Sequence, residues 1–134
     1  MSDIANFITA HGRKVGGWDE ILEGGIAPNA TVLSWRGMEG GIEAARLGHD
    51  AIMCPVSHLY LDYYQTADRE SEPTAFNGFI PIERTYDFNP VSPQLTANEA
   101  KHIIGVQANV WTEYMKTFKQ VEYMTLPRLA AASE

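Results

Sequence analysis

Two residues near the C-terminal end of the chain, Trp111 and Glu113, have the types and the spacing of a sugar-binding pair. They follow an apolar run of Ile103, Ile104 and Val106, which is typical of a strand covered on both faces. Because residues i and i+2 of a strand point to the same side, the indole ring and the carboxylate would face one pocket. A flat ring can stack on the C–H face of a sugar, and a carboxylate accepts hydrogen bonds from its hydroxyls. The alternative is a core tryptophan beside a surface glutamate.

Aromatic or acidic residues recur at the ends of other predicted strands. Trp18 ends a short strand candidate after two glycines, and Trp35 ends a strand predicted over residues 31–35, which is β-branched at its start. A third strand is predicted over residues 50–56, and it leads to Tyr60 and Asp62. Tyr60 is favoured over Tyr63 and Tyr64 as the functional tyrosine because it shares parity with Asp62, so those two are predicted to be packing residues.

The elements that must position these residues alternate between strands and helices. Helices are predicted over residues 4–11, 40–47, 81–87 and 120–132, with Gly48 as a stop and Pro127 as a break. Strands separated by such crossovers indicate parallel βα units. In a (β/α)₈ (TIM) barrel, functional residues lie at the carboxyl ends of the strands, which is where the tryptophans are predicted.

The predicted fold class is α/β, a partial TIM barrel of about four parallel βα units. A full barrel usually needs about 200 residues or more, whereas this chain has 134. The chain is therefore expected to be an excerpt from a larger protein, or one of two copies that close against each other. Met1 is expected to be an artificial start, because the chain opens within a helical pattern. Residues 1–134 are predicted to form a single domain.

Composition excludes several classes of function. The formal net charge of -7 without a basic cluster argues against nucleic acid or an anionic membrane as a partner. No apolar run is long enough to span a membrane, and the N-terminus has no signal-peptide pattern. Cys54 and the scattered histidines have no metal-ligand spacing, so neither a metal nor a cofactor is expected. Neither a nucleophile elbow nor a phosphate-binding glycine motif is present.

Several multi-residue motifs are similar to those of glycoside hydrolase family 20, the β-N-acetylhexosaminidases. In chain order they read GGWDEIL, VLSWRG, GIEAARLGHDAIMCP, YLDYYQ, YDFNP, GVQANVWTEY and EYMTLPRLAAASE. They cover nearly the whole chain, which resembles the C-terminal half of that family's catalytic barrel, roughly strands five to eight. The resemblance implies cleavage of terminal N-acetylglucosamine or N-acetylgalactosamine from glycans with retention of configuration. The nucleophile would be the substrate's own acetamido oxygen.

The resemblance also implies a role for each matching residue. Trp18, Trp35 and Trp111 would wall the pocket around the acetamido group and the sugar face. Tyr60 would donate a hydrogen bond to the acetamido oxygen, as the catalytic residue of this chain. Asp62 and Glu113 would accept hydrogen bonds from sugar hydroxyls, at O6 and O4. Members of the family commonly work outside the cytoplasm, although the chain itself leaves the localisation unknown.

The chain departs from the family in its catalytic carboxylates. The family's general acid and its acetamido-orienting aspartate form an adjacent Asp-Glu pair after His-x-Gly-Gly, and this motif is missing. Asp19 and Glu20 are adjacent, but they belong to a separate Trp-Asp-Glu motif and are interpreted as structural or loop charges. Arg36 is interpreted as an ion-pair partner. Because a general acid contributes about 10²–10⁴-fold in rate, the isolated chain is expected to be inactive.

Two alternatives to an excerpt of a catalytic domain stay open. One is a non-catalytic sugar-binding module that kept the pocket and lost the acid. The other is a structural half-barrel that dimerises through its exposed strand edges. In every case self-association is expected, because half a barrel leaves apolar surface open. An upstream His-x-Gly-Gly-Asp-Glu motif would favour the catalytic domain over both.

Overall fold

The computed structural model describes residues 2–134, and Met1, whose role as an artificial start was predicted, lies outside the described residues. Strands lie at β1 (Gly16–Trp18), β2 (Thr31–Ser34), β3 (Ala51–Met53), β4 (Tyr63–Tyr64), β5 (Phe76–Phe79) and β6 (Ile103–Val106). The α-helices are α1 (Ser2–Ala10), α2 (Glu39–Arg46), α3 (Val56–Leu59), α4 (Ile82–Tyr86), α5 (Phe118–Thr125) and α6 (Arg128–Ala131). Short 3₁₀ helices lie at Asp19–Leu22, Arg69–Ser71 and Glu99–His102.

The chain divides into two compact units. The first comprises Met1–Pro55 and Asn89–Val106, and the second comprises Val56–Phe88 and Gln107–Glu134. The prediction of a single domain over residues 1–134 stays a prediction.

The first unit is built on a four-stranded sheet in the order β1-β2-β3-β6. Every neighbouring pair is parallel, with Trp18 opposite Leu33 and Ser34 opposite Met53. These are the four strands that the sequence predicted, and the connections between them carry helices. The prediction of parallel βα units is confirmed for this sheet, because short β-branched and apolar runs are a strong local signal.

Helix α2 covers part of this sheet through small residues. Ala44 packs with Val32 and Ala51 in a buried cluster, and the backbone N–H of Gly41 donates to the buried hydroxyl of Ser34 at 2.9 Å. The same hydroxyl donates to the carbonyl of Gly37 at 2.7 Å, so one side chain at the end of β2 fixes the turn into the helix. Gly48, at a φ of 79°, follows the end of the helix as predicted.

Strand β6 differs from its prediction. The apolar residues of this strand were expected to be covered on both faces, but Ile104 is 54% exposed and Val106 is 38% exposed. The reason is position, because β6 ends the order of the sheet and pairs with β3 alone among the described residues. An apolar run predicts a strand but does not determine whether a neighbour covers it.

The second unit contains a parallel pair, β4 and β5, and a single bridge between Tyr60 and Asn109. The sequence analysis predicted no helix or strand between residues 57 and 80, so α3 and the strand pair were missed. The predicted break at Pro127 is confirmed, since α5 ends at Thr125 and α6 begins at Arg128. Helix α5 begins with a capping box, in which the Thr117 side chain and Gln120 bond reciprocally to the backbone.

Candidate functional site

Trp18 and Trp35 lie at the carboxyl ends of two neighbouring strands in the sheet of the first unit. Trp18 is the last residue of β1, and Trp35 directly follows β2, its parallel neighbour. Both indoles are partly buried. The predicted placement of these two residues at the carboxyl ends of their strands is therefore observed.

Asp19 fixes the backbone that carries Trp35. Its buried carboxylate accepts from the backbone N–H of Trp35 at 3.0 Å and from that of Arg36 at 3.2 Å. It also pairs with the guanidinium of Arg36, whose Nε lies 2.6 Å from Oδ1. Arg36 forms a second ion pair with Glu23 at 2.7 Å. These contacts agree with the interpretation of Asp19 as a structural charge and of Arg36 as an ion-pair partner.

Glu20 makes a contact that the sequence did not indicate. The indole Nε1 of Trp35 donates to both carboxylate oxygens of Glu20, at 3.1 Å each. The pKa of Glu20 lies below its ordinary value, chiefly because its carboxylate accepts a bond from its own backbone N–H, and then because of Trp35 and the charge of Arg36. Glu20 was interpreted as a structural or loop charge, and no partner was predicted for it. The residues lie 15 positions apart, so no local pattern could have revealed their contact.

Two of the predicted residues of the second unit, Tyr60 and Trp111, lie next to each other. The rings of Tyr60 and Trp111 have centroids 6.5 Å apart. Their segments are tied together by the backbone of Asn109, whose carbonyl accepts from Leu61 at 2.8 Å. The pKa of Asp62, which lies two residues after Tyr60, is raised chiefly by burial and in addition by the charge of Glu113. The structure thus brings together the phenol of Tyr60 and the indole of Trp111.

Asp62 is a buried acid with unsatisfied hydrogen-bonding capacity. It is 6% exposed, and its Oδ1 accepts no hydrogen bond from the described residues. Burial raises its pKa to about 6, and the nearby charge of Glu113 adds to the effect. A carboxylate with an open acceptor can receive a hydroxyl proton from a ligand. Two further buried polar atoms of this unit have no hydrogen-bond partner among the described residues, Nδ2 of Asn109 and Nε of Arg128.

Arg128 is a structural residue of this unit that the sequence analysis missed. Its buried guanidinium donates to four backbone carbonyls, those of Leu61, Tyr63, Ile80 and Met124, at 2.6–3.0 Å. Two of these carbonyls flank Asp62, so Arg128 holds the backbone on both sides of that acid. Burial lowers the pKa of Arg128 to about 10. Arg128 belongs to the motif EYMTLPRLAAASE, which was recognised in the sequence without indicating the structural role of this arginine.

The prediction that strand parity places Trp111 and Glu113 on one side is wrong, although both residues lie in the same unit. Strand β6 ends at Val106, and Glu113 lies in a turn in which Met115 N–H donates to the carbonyl of Thr112. Strand parity therefore does not orient these two side chains. Trp111 is 42% exposed and presents ring surface to solvent.

Tyr63 and Tyr64 are packing residues, as predicted. The ring of Tyr63 stacks on Phe76 with centroids 5.5 Å apart. The guanidinium of Arg69 lies 5.1 Å from the centre of the Tyr64 ring. The ring of Tyr60 pairs with that of Trp111.

The described residues contain no group of three His, Cys, Asp or Glu side chains placed to hold a metal ion. Within the same residues, every helix is too short or too polar to cross a membrane. What the side chains of the second unit can do is stack on an apolar ring face, donate from a phenol and accept from hydroxyls. Together with the parallel α/β sheet, these capacities are typical of a carbohydrate-active α/β protein.

Comparison with known proteins identifies the family. The model of glycosyl hydrolase family 20, catalytic domain, matches residues 1–134, and the chain belongs to this family. A β-hexosaminidase from Porphyromonas gingivalis is 50% identical over 125 residues, which are 92% of this chain and 16% of that protein. A β-N-acetylhexosaminidase from Cellulomonas fimi is 33% identical over 97% of this chain and 26% of its own length.

Solved structures confirm the fold class. An exo-β-N-acetylglucosaminidase of the family from Vibrio harveyi, in complex with N-acetylglucosamine, matches with a TM-score of 0.86 at 27% identity. That match covers 97% of this chain and 21% of the other. An N-acetyl-β-hexosaminidase from Streptomyces plicatus matches with a TM-score of 0.82 at 28% identity, over 97% of this chain and 27% of the other. The predicted α/β fold of a partial TIM barrel is confirmed.

The chain spans only part of these proteins. It covers between 16% and 26% of the length of the P. gingivalis and C. fimi relatives. The chain therefore belongs to the family, and the activity, substrate and partners of a whole protein are proposed below.

Proposed function

We propose that this chain is part of a β-N-acetylhexosaminidase, which removes terminal N-acetylglucosamine or N-acetylgalactosamine from glycans by substrate-assisted, retaining catalysis. The family match and the names of the relatives support the reaction class. The observation that carries the proposal is the contact of Tyr60 with Trp111 beside the buried acceptor of Asp62. A phenol, an indole and a desolvated carboxylate are the groups that an N-acetylated sugar requires.

Tyr60 acts on the nucleophile. In a substrate-assisted reaction the acetamido oxygen attacks the anomeric carbon, so its orientation limits the rate. The phenol of Tyr60 donates a hydrogen bond to this oxygen and holds it in line. Trp18, Trp35 and Trp111 contact the acetamido group and the sugar face, and restrict the motion of a neutral, weak nucleophile.

Asp62 and Glu113 select the sugar. Each accepts a hydrogen bond from a hydroxyl, at O6 and O4 respectively. A ligand without the matching hydroxyl leaves the buried Asp62 oxygen unpaired, which costs roughly 1–3 kcal/mol. Asp62 enforces this penalty because it is almost fully buried.

The isolated chain is proposed to bind sugar without cleaving it. The two adjacent carboxylates that it does contain are both engaged, Asp19 with Arg36 and two backbone N–H groups, and Glu20 with the Trp35 indole. Neither is therefore placed to protonate a leaving group. Loss of a general acid alone removes about 10²–10⁴-fold of rate.

A titration of the isotope-labelled chain tests the proposal. N-acetylglucosamine is expected to shift the resonances of Tyr60 and Trp111 in saturable fashion, and glucosamine is expected to bind at least about tenfold more weakly. Trp111→Ala should abolish the response, whereas Phe118→Ala, which removes another exposed aromatic ring, should preserve it. Equal responses to both sugars would contradict the proposed sugar site. Turnover of a chromogenic N-acetylglucosaminide at the rate of a full-length enzyme would contradict the proposed inactivity of the isolated chain.

We also propose that the chain self-associates through strand β6. This strand ends the order of its sheet and exposes Ile104 and Val106. An apolar strand edge is a template for pairing with another chain. Light scattering should show dimers or larger species. Ile104→Lys should shift them toward monomer, while Leu47→Lys, at an equally exposed residue outside the strands, should not. A wild-type monomer at all concentrations would refute this.

A further inference from the structure

The indole of Trp35 is held by a side chain from a different element. Its Nε1–H points between the two carboxylate oxygens of Glu20, which lie at equal distances of 3.1 Å. Trp35 lies beyond the end of β2 and is only partly buried, so packing encloses just part of the ring. A hydrogen bond to the ring edge selects one orientation of the indole plane over its flipped alternative.

Asp19 and Glu20 divide the task of holding this residue. Asp19 accepts from the backbone N–H of Trp35 and so fixes the Cα position. Glu20, the next residue, accepts from the ring and so fixes the side-chain torsions. The two acids lie in the first turn of the 3₁₀ helix Asp19–Leu22, which directly follows Trp18.

We propose that Glu20 is a positioning residue, which holds the indole ring of Trp35 in the orientation that contacts the acetamido group of an amino sugar. This inference rests on the proposed function for the role of Trp35. The physical consequence is preorganisation, because a ring already fixed in its bound orientation loses less rotamer freedom when the ligand arrives. Glu20 itself touches neither the sugar nor the reacting atoms in this scheme.

The charge state of Glu20 supports the bond over a wide pH range. Its pKa lies below the ordinary glutamate value, first because of a bond from its own backbone N–H, and then because of the Trp35 indole and the Arg36 charge. Asp19 and Glu23 are the neighbouring acids, and both pair with Arg36. At neutral pH the carboxylate is therefore ionised and accepts from the indole.

The contact is tested by the indole N–H resonances of the chain, which has three tryptophans. Glu20→Leu is expected to shift the Trp35 resonance upfield and to leave those of Trp18 and Trp111 in place. Glu20→Gln, whose amide oxygen still accepts a hydrogen bond, should return the Trp35 indole resonance most of the way to its wild-type chemical shift. Glu23→Leu is the matched control, since it removes an equal charge next to Arg36 without touching the indole. An unchanged Trp35 resonance in Glu20→Leu would overturn the inference.

A double-mutant cycle then tests the role in binding. Glu20→Leu is expected to weaken N-acetylglucosamine binding about fivefold, which is about 1 kcal/mol. In a Trp35→Phe background, which has no indole N–H, the same change should have no further effect. Equal losses in both backgrounds would show that Glu20 acts on binding directly, and would overturn the positioning role.

The two proposals fail separately. Suppose that the wild-type chain does not bind N-acetylglucosamine but that Glu20→Leu shifts the Trp35 indole resonance. The proposed function then fails for this chain, while Glu20 still positions the ring. If the chain binds and Glu20→Leu alters neither the resonance nor the affinity, the positioning role fails and the proposed function stands.

Discussion

The guanidinium Nη2 of Arg128 lies 2.7 Å from the carbonyl oxygen of Leu61, the residue that directly precedes Asp62. A second nitrogen, Nη1, lies 3.0 Å from the carbonyl of Tyr63 on the other side of the acid. A buried charge thus holds the backbone that carries the candidate sugar acceptor. The same guanidinium also donates to the carbonyls of Ile80, directly after β5, and Met124 in helix α5. The Arg128 side chain therefore links strand β4, the end of β5 and helix α5.

Replacement of Arg128 by methionine is expected to destabilise the chain strongly. The change leaves four backbone carbonyls without their charged donor, and each buried polar group left unsatisfied costs about 1–3 kcal/mol. Urea unfolding measures the loss. Arg84→Met is the matched control, because Arg84 donates to a single carbonyl, that of Phe79, from an exposed position. Equal and small losses in both variants would contradict a structural role for Arg128.

Asp62 is expected to make stability depend on pH. Its pKa in the folded chain is raised to about 6 by burial, above the value of about 3.9 in an unfolded chain. Between these values the folded state keeps a proton that the unfolded state has lost, so the free energy of unfolding falls as pH rises from about 4 to about 6. Above about pH 6, Asp62 is ionised in both states, and its unfavourable contribution to the free energy of unfolding no longer changes with pH.

Comparison of wild type with Asp62→Asn isolates that dependence. Urea unfolding at several pH values should show the wild type losing stability relative to the variant as the pH increases through the window. Asp68→Asn, at an exposed aspartate of the same unit, should run parallel to the wild type. A wild-type stability that rises relative to Asp62→Asn over this range would contradict the raised pKa.

Tyr60→Phe is expected to weaken binding of N-acetylglucosamine while leaving the fold intact. The ring that contacts Trp111 is kept and only the phenolic donor is lost, a change of about 1 kcal/mol or about fivefold in affinity. Titration calorimetry or ligand-detected resonance measures this. Tyr64→Phe keeps the ring that faces Arg69 and should bind as the wild type does. Similar affinities for Tyr60→Phe and the wild type would remove the proposed role of this phenol.

Gly78→Ala is expected to disturb the β4–β5 pair. A methyl group at this position would overlap the ring of Tyr63, which stacks on Phe76. The ring has to move, and overpacking of this kind costs about 1–3 kcal/mol. Gly24→Ala, where the added carbon meets nothing within 4 Å, should have a much smaller effect on unfolding by urea. Equal effects of the two changes would indicate that Tyr63 adapts freely.

The sequence by itself determined the strands of the first unit and the helix boundaries at Gly48 and Pro127. These features follow from local rules, since β-branched and apolar runs predict strands, and glycine or proline ends a helix. The sequence also determined the family, because several motifs matched in order. It placed Trp18 and Trp35 at strand ends, where the structure has them.

Only the tertiary structure decided which groups hold these residues. The bond from Trp35 to Glu20 spans 15 positions and the bond from Arg128 to Leu61 spans 67, so no local pattern encodes either contact. Burial likewise depends on neighbours distant in sequence, which is why Ile104 and Val106 are exposed despite their apolar run. Local propensity determines where a strand forms, whereas long-range packing determines what covers it and which charges meet beside it.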